Sequence, residues 1–301
     1  MTHVNFSEST RALLSEIVDY AGLFPPSQLL MAEAVANYAN YKMSDYHWML
    51  GRFVVPAARL DEFLDSARGL LPQNESDVWK LSVLAGDDIS ETVHRIKNFN
   101  RANAPSVICD SIEIKVDTNQ MIERVAQVVP ANFATYFELP VDGNLDELTK
   151  TLAIRGGRAK IRTGGITENA FPKNERIIRF IKTCLAANVP FKATAGLHHP
   201  LRCRKPLTYE KNASVGVMNG FLNVFLATGF LRHGCEENLI DELLEETQAA
   251  NFSFNADGIL WRQKYFLSTT ELKNLREQSI ISFGSCSFDE PIADLKEIRL
   301  L

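Results

Sequence analysis

The chain has 301 residues, 46% of them hydrophobic and 23% charged, which is enough to bury a sizeable core in one large domain or two modest ones. A net charge of -5 and the lack of a lysine and arginine stripe argue against nucleic acid as a partner, so an anionic small molecule would need a local basic site. The longest apolar stretch, 215–230, is interrupted by Asn219, Gly220 and Asn223, and the sequence predicts no transmembrane helix and no membrane partner.

Short apolar or β-branched runs recur along the chain and are interpreted as strands. They lie at about 17–21, 52–55, 79–84, 111–117, 134–139, 158–163, 190–195 and 279–284. Amphipathic segments with apolar residues at helical spacing lie between most of them. This alternation predicts an α/β fold with a parallel sheet, and eight strands favour a (β/α)8 TIM barrel over residues 1–301 as a single domain. A doubly wound sheet is the alternative.

One interval, 200–278, is much longer than a normal crossover between strands. Helical patterns at about 215–230 and 236–250 suggest a helical insertion between strands seven and eight. The insertion could form a lid over the barrel, an oligomer contact or extra packing. Its apolar helix would pack against the barrel or against a second subunit of a homo-oligomer.

Polar residues occupy one side of four consecutive predicted strands, where alternation directs them toward the barrel axis. This inward set is Glu113, Lys115, Asp117, Tyr136, Glu138, Lys160, Arg162, Lys192 and Thr194. Because unpaired buried charges are costly, these groups must pair, shift their pKa values or meet a polar ligand. A pocket at the C-terminal ends of the strands is the functional interpretation, and a satisfied ion network inside the barrel is the structural one.

Two interior lysines on neighbouring strands predict a specific chemistry. An amine attacks a carbonyl carbon only when it is unprotonated, and a second cation nearby lowers its pKa. Lys160 and Lys192 could form such a pair, and the resulting imine would serve as an electron sink for making or breaking a carbon–carbon bond. Glu113 or Glu138 could then move protons, directly or through water.

Three segments carry a resemblance to a known family. KIRTGG (160–165) resembles the sixth-strand segment of the deoxyribose-phosphate aldolases, in which a Schiff-base lysine precedes small hydroxyl residues and a glycine. KATAG (192–196) resembles their seventh-strand segment, and FGSCS (283–287) is similar to their eighth-strand turn that binds the substrate phosphate. The resemblance implies a class I, metal-free aldolase or a related Schiff-base lyase, with no cofactor and a small anionic carbonyl or hydroxy substrate.

Carried over residue by residue, the resemblance implies that Lys160 forms the imine and that Lys192 lowers the pKa of that amine. Glu113 would be the proton-transfer group, where the family has an aspartate, and Glu138 stands on the next strand. Gly284 and Ser285 would help to hold an anion.

Residues at the strand ends complete the predicted site. Glycines after a strand let backbone N–H groups approach an anion, and an arginine beside them supplies a fork of donors. The residues assigned to substrate binding are Arg162, Thr163, Gly164, Thr194, His198, His199, Gly284 and Ser285. Cys286 could be nucleophilic if its pKa were depressed, but no histidine lies beside it in the sequence, so a packed thiol is the expectation.

His198 and His199 leave several roles open. In an extended segment the two side chains point in opposite directions, so at most one of them could join Glu138 or Asp117 at a metal ion. One histidine could instead act as a general acid or base or contact an anion, or both could make loop contacts. We assign no metal site.

Two further functions stay open beside the lyase. One is a metal-dependent barrel lyase or hydrolase that uses His198 or His199 with carboxylates, and the other is a non-catalytic barrel that binds a ligand. Five scattered cysteines and the lack of a signal-peptide pattern at the first residues favour a cytoplasmic location.

Overall fold

A computed structural model describes residues 6–72 and 77–301. The strands are Val18–Tyr20 (β1), Leu50–Pro56 (β2), Trp79–Leu84 (β3), Val107–Lys115 (β4), Ala134–Glu138 (β5), Arg158–Arg162 (β6), Phe191–Thr194 (β7), Cys203–Pro206 (β8), Val215–Met218 (β9), Phe252–Phe254 (β10), Gly258–Trp261 (β11), Tyr265–Ser268 (β12) and Ile280–Ser285 (β13). The α-helices are Glu8–Leu14 (α1), Met31–Lys42 (α2), Leu60–Ala67 (α3), Ile89–Asn103 (α4), Asn119–Val128 (α5), Leu145–Arg155 (α6), Asn174–Ala186 (α7), Phe221–Arg232 (α8), Glu237–Leu244 (α9), Thr269–Gln278 (α10) and Asp289–Glu297 (α11).

Eight of these strands, β1 to β7 and β13, close into a barrel in chain order, and β13 pairs with β1. Every neighbouring pair is parallel. A helix follows each of β1 to β6 as well as β13. Outward-facing residues such as Ile112 and Ile114 are buried beneath those helices, and this removal of apolar surface from water stabilises the fold. The predicted (β/α)8 TIM barrel is confirmed, and each predicted strand overlaps one barrel strand.

The 200–278 segment contains two small antiparallel sheets as well as helices, so a helical insertion is not confirmed in that form. β8 and β9 form a hairpin, and β10 to β12 form a three-stranded sheet. The helix predicted at 215–230 begins only at Phe221, because exposed and buried residues alternate along Val215–Met218 with the period of a strand. The helix predicted at 236–250 is shorter and ends at Leu244.

Helix α8 packs against the barrel. Its residues from Phe221 to Phe230 are buried, and the ring of Phe221 stacks on Phe283 of β13 with centroids 4.8 Å apart. A helix that is apolar and buried all round is a core helix. None of the helices within the described ranges has the length and apolar character needed to cross a membrane.

The interior of the barrel is polar and charged. Asp19, Glu113, Lys160 and Lys192 are each exposed by 3% or less, and the interior also holds buried serine hydroxyls. The interior of a (β/α)8 barrel is usually filled by layers of valine, isoleucine and leucine. Buried charges require partners, so the arrangement of these side chains decides what the interior can do.

Candidate active site

A cavity of about 250 Å³ opens at the C-terminal ends of the barrel strands. Its polar lining residues are Glu113, Glu138, Lys160, Arg162, Lys192, Thr194, His198 and Cys286, joined by Gly165, Gly196 and Gly284. Apolar residues, among them Phe24, Val54 and Leu84, form the remaining wall. Enzymes of this fold carry their active sites at this end of the barrel.

Strand register brings three charged residues to one level of the barrel. Lys160 on β6 is the backbone partner of Glu138 on β5 and of Lys192 on β7. Side chains at matched positions point the same way, so all three face the interior, as the sequence predicts. Lys115, the last residue of β4, and Asp117 beyond it are exposed and do not line the cavity, so they do not join the buried charges of the interior, contrary to the prediction from the sequence.

Lys192 is enclosed by two buried carboxylates. Its Nζ lies 2.7 Å from Asp19 Oδ2 and 2.6 Å from Glu113 Oε1, and its side chain is 2% exposed. β4 and β7 are not neighbours, so the contact with Glu113 spans the barrel interior. Burial alone lowers the pKa of Lys192, but the charges of Asp19 and Glu113 outweigh burial and hold that pKa above its ordinary value. Lys192 therefore stays an ammonium.

Lys160 also contacts two carboxylates, one of them closer to the cavity mouth. Its Nζ lies 2.8 Å from Glu113 Oε2 and 2.8 Å from Glu138 Oε2, and the Glu138 side chain is 16% exposed. Burial alone raises the pKa of both carboxyls, but the facing ammonium groups outweigh burial and hold each pKa below its usual range. Both acids are ionised near neutrality.

Glu113 therefore stands between the two predicted catalytic lysines. Its Oε2 binds the ammonium group of Lys160 and its Oε1 binds that of Lys192. Ser82 Oγ also donates a hydrogen bond to Glu113 Oε1 at 2.6 Å. The two lysines share a carboxylate instead of facing one another as bare cations. This is the pairing that the ion-network interpretation predicts for the resting protein.

The predicted substrate contacts Arg162, Thr194 and Gly284 lie at the rim of the cavity. The Arg162 side chain is 55% exposed, and its Nε lies 3.6 Å from Glu138 Oε1, beyond hydrogen-bond distance. Thr194 and Gly284 are backbone partners on β7 and β13, and the Thr194 hydroxyl lies beside the Gly284 backbone. This side of the mouth is therefore cationic and polar.

Thr163 and Gly164 are buried and are not part of the cavity lining, so their assignment to substrate contact stays a prediction. Thr163 is fully buried, and its Oγ1 donates to the carbonyl oxygens of Ala195 at 2.7 Å and Thr194 at 3.2 Å. Gly164 packs against Gly196 so closely that a Cβ on Gly164 would lie 2.9 Å from the Gly196 Cα. Both residues hold the ends of β6 and β7 together.

His199 and Ser285 do not line the cavity themselves. His199 Nδ1 hydrogen-bonds Asp294 of α11 and lies 3.4 Å from Lys205 Nζ of β8. These contacts connect the β8–β9 hairpin to the barrel. Ser285 Oγ lies 3.2 Å from His198 Nδ1 and accepts a hydrogen bond from the backbone N–H of Ser287. Ser285 thus positions the His198 side chain, and His199 links α11 to β8.

Two features of the site do not follow from the sequence-based predictions. Asp19, which lies in the predicted strand at 17–21 but was not assigned to the site, is 1% exposed in the interior and accepts hydrogen bonds from Ser282 and Lys192. Cys286 Sγ lies 3.9 Å from His198 Nδ1, although their positions differ by 88 residues. A carboxylate within an apolar strand was the available signal for Asp19. No local signal brings Cys286 and His198 together.

The two adjacent histidines diverge, as expected for an extended segment. His198 turns to Ser285 and Cys286, whereas His199 turns to Asp294. Within residues 6–72 and 77–301, no group of three or more His, Cys, Asp and Glu side chains is arranged to hold a metal ion. The metal-dependent alternative therefore has no ligand set in the described part of the chain.

Fold and site together define a (β/α)8 barrel with a charged cavity at the face where this fold carries catalysis. No protein-family model matches the chain, and no curated protein matches it.

Proposed function

We propose that the protein is a lyase that forms an imine between Lys160 and a small anionic carbonyl substrate, and that makes or breaks a carbon–carbon bond beside that carbonyl. The observation that carries the proposal is the place of Lys160 on the cavity wall, in ion pairs with Glu113 and Glu138 at 2.8 Å each. A nucleophile, bases within hydrogen-bond reach and room for a substrate meet at this point.

Lys192 is a poorer nucleophile than Lys160. It lies between two carboxylates that are each exposed by 3% or less, and its raised pKa keeps it protonated. Its place in the mechanism is that of a fixed positive charge, which keeps Glu113 ionised while Lys160 reacts. Lys192 is a positioning residue, and the imine forms on Lys160.

The reaction begins when Lys160 passes a proton to Glu138 and its nitrogen adds to the carbonyl carbon. A second proton moves from the nitrogen to the carbonyl oxygen and makes it a hydroxyl group, Glu138 returns the first proton to that hydroxyl, water leaves, and a cationic imine remains. This iminium has the same charge as the ammonium that it replaces, so the pair of carboxylates that holds Lys160 also stabilises the intermediate. Glu138 then takes the proton of the hydroxyl group on the β carbon, the bond between the α and β carbons breaks, its electron pair moves toward the iminium, and an aldehyde leaves. The enamine that remains regains a proton at its α carbon from Glu138, and water hydrolyses the resulting iminium to free Lys160.

The residues at the cavity mouth and the cavity volume indicate the class of substrate. Arg162 faces the mouth, and its planar fork of donors matches a carboxylate or a phosphate. A cavity of about 250 Å³ holds a small molecule only. The substrate is therefore a short carbonyl or hydroxy compound whose acidic group binds Arg162.

Reduction with borohydride tests the proposal. The protein is mixed with pyruvate, glyoxylate or dihydroxyacetone phosphate, reduced, digested and mapped by mass spectrometry. We expect an irreversible adduct on Lys160 that Lys160→Arg abolishes, since arginine keeps the charge but forms no imine. Lys182→Arg, at an exposed position on α7, should leave the adduct unchanged. No adduct on Lys160 with any probe would refute the lyase.

A non-catalytic ligand-binding barrel is the second candidate, and the complete pairing of both lysines with carboxylates favours it. Calorimetry with the same probes separates the two functions. Binding that survives Lys160→Arg, without any reduced adduct in the unmodified protein, would identify a binding protein.

A further inference from the structure

Cys286 and His198 form a pair in the wall of the cavity. His198 follows β7 and Cys286 follows β13, and both residues line the cavity. The 3.9 Å between Sγ and Nδ1 fits a hydrogen bond to sulfur. Cys286 is 4% exposed and His198 7%, so the pair is shielded from bulk water while it faces the space where a substrate would lie.

Polar groups from two other elements surround this pair. The Tyr209 hydroxyl, in the loop between β8 and β9, lies 3.8 Å from Cys286 Sγ and donates to Glu290 Oε2 of α11 at 3.1 Å. Glu290 Oε2 lies 3.7 Å from His198 Nδ1, so a carboxylate faces the imidazole. Tyr20 and Asp289 also lie near the thiol or its neighbours.

The charges in this cluster favour a thiolate beside an imidazolium. Burial alone raises the pKa of Cys286, but the hydrogen bond and charge of His198 outweigh burial and lower that pKa. For His198, burial alone lowers the pKa, and Cys286 and Glu290 together raise it. The other cysteines show the opposite behaviour: burial raises the pKa of Cys203 to about 11 and also raises the pKa of Cys235.

We propose that Cys286, activated by His198, is a second covalent nucleophile of the cavity and adds to small aldehydes. The sulfur forms a bond with the carbonyl carbon, the π electrons move to the oxygen, and the His198 imidazolium gives that oxygen its proton. The product is a hemithioacetal, and no oxidant or further reactant is needed. This chemistry does not depend on imine formation at Lys160.

Alkylation with iodoacetamide at pH 7, followed by peptide mapping, tests the pair. Cys203 and Cys235, both half-buried, are the internal comparison. We expect Cys286 to react at least about tenfold faster than either, because the thiolate is the reactive form. His198→Asn should slow Cys286 by about tenfold at pH 7, whereas the neighbouring His199→Asn should not. Equal rates at the three cysteines would overturn the proposal.

Protection by glyoxylate, a small anionic aldehyde, tests the addition itself. Glyoxylate should slow alkylation of Cys286 but not of Cys203, and dilution should restore the rate. The protection should persist in Lys160→Arg, and borohydride adducts on Lys160 should persist in Cys286→Ser, so each proposal can fail alone. If His198→Asn does not fold, the unmodified protein decides: Cys286 must keep reacting at pH 6, where Cys203 does not. Absence of protection by glyoxylate would contradict the addition.

Discussion

Glu113 holds the charged interior together at the scale of a single residue. Its two oxygens bind Lys160 and Lys192 at 2.8 and 2.6 Å, and the carboxylate is 3% exposed. A buried ion pair gives little net stability over an apolar pair, but removal of one partner leaves the other charge buried and uncompensated. Glu113 is therefore needed mainly because it compensates the buried charges of Lys160 and Lys192.

Glu113→Gln should destabilise the protein by about 3–5 kcal/mol, since glutamine keeps the shape but removes the charge that both ammonium groups share. Urea unfolding measures the free energy of unfolding. The control is Glu123→Gln, which breaks a surface ion pair with Arg155 and should cost less than about 1 kcal/mol. Equal losses in the two variants would show that the interior charges do not depend on Glu113.

The inward positions of the site could be predicted from the sequence, whereas their partners could not. Alternation along a strand is local, and it placed Glu113, Glu138, Lys160 and Lys192 correctly on the interior face. Which charges meet depends on contacts across the barrel, such as the bond between Lys192 and Asp19, 173 positions apart. Pairing over such distances leaves no periodic signal.

At the scale of elements, the ends of β6 and β7 approach each other through glycine. Gly164 and Gly196 are in backbone contact, and Gly196 has a φ of +74° beside Ala195 with a φ of +60°. A Cβ on Gly196 would lie 2.7 Å from the Phe171 ring and 2.8 Å from the Gly164 Cα. Glycine is needed here both for its φ angle and for space.

Gly196→Ala should therefore destabilise the protein more than an alanine at another left-handed glycine. Gly234 is the matched control, because its φ is +77° and a Cβ at that position would have no atom within 4 Å outside its own chain neighbours. Gly234→Ala should cost roughly 1 kcal/mol from backbone strain alone. Gly196→Ala should cost about 1–3 kcal/mol more, because overpacking is added. Thermal or urea unfolding of both variants measures the difference, and equal costs would contradict close packing.

The barrel strands were predictable as elements, whereas the long segment before β13 was not. Each barrel strand is a short apolar run bounded by polar or turn residues, so its period is visible in isolation. In 215–230 a strand and a helix follow each other, separated only by Asn219 and Gly220, and apolar residues fill both. Composition alone could not divide that run. The boundary between the strand and the helix depends on tertiary packing. The backbone at Gly220 lies so close to Leu201 that a Cβ on Gly220 would lie 2.4 Å from the Leu201 Cα.

At the scale of the whole molecule, the charged interior links stability to pH. Burial alone raises the pKa of Glu113, but Lys160 and Lys192 outweigh burial and hold that pKa well below its usual range. In the unfolded chain a glutamate titrates at about pH 4.3. The stability that Glu113 contributes is thus fully present above about pH 4.3 and is lost as the pH falls toward the folded pKa, because the unfolded chain then binds a proton that the folded protein does not.

The free energy of unfolding should therefore fall steeply as the pH is lowered. Glu113→Gln should reduce the slope of this free energy against pH by the contribution of one titrating group. Below about pH 4 this contribution is about 1.4 kcal/mol per pH unit. Urea titrations at several pH values between 5 and 3 give the slope for each variant. Glu147→Gln, at an exposed position on α6, should leave the slope unchanged. If Glu113→Gln had the same slope as the unmodified protein, Glu113 would titrate alike in the folded and unfolded chains, and Lys160 and Lys192 would not stabilise its charge as the ion pairs require.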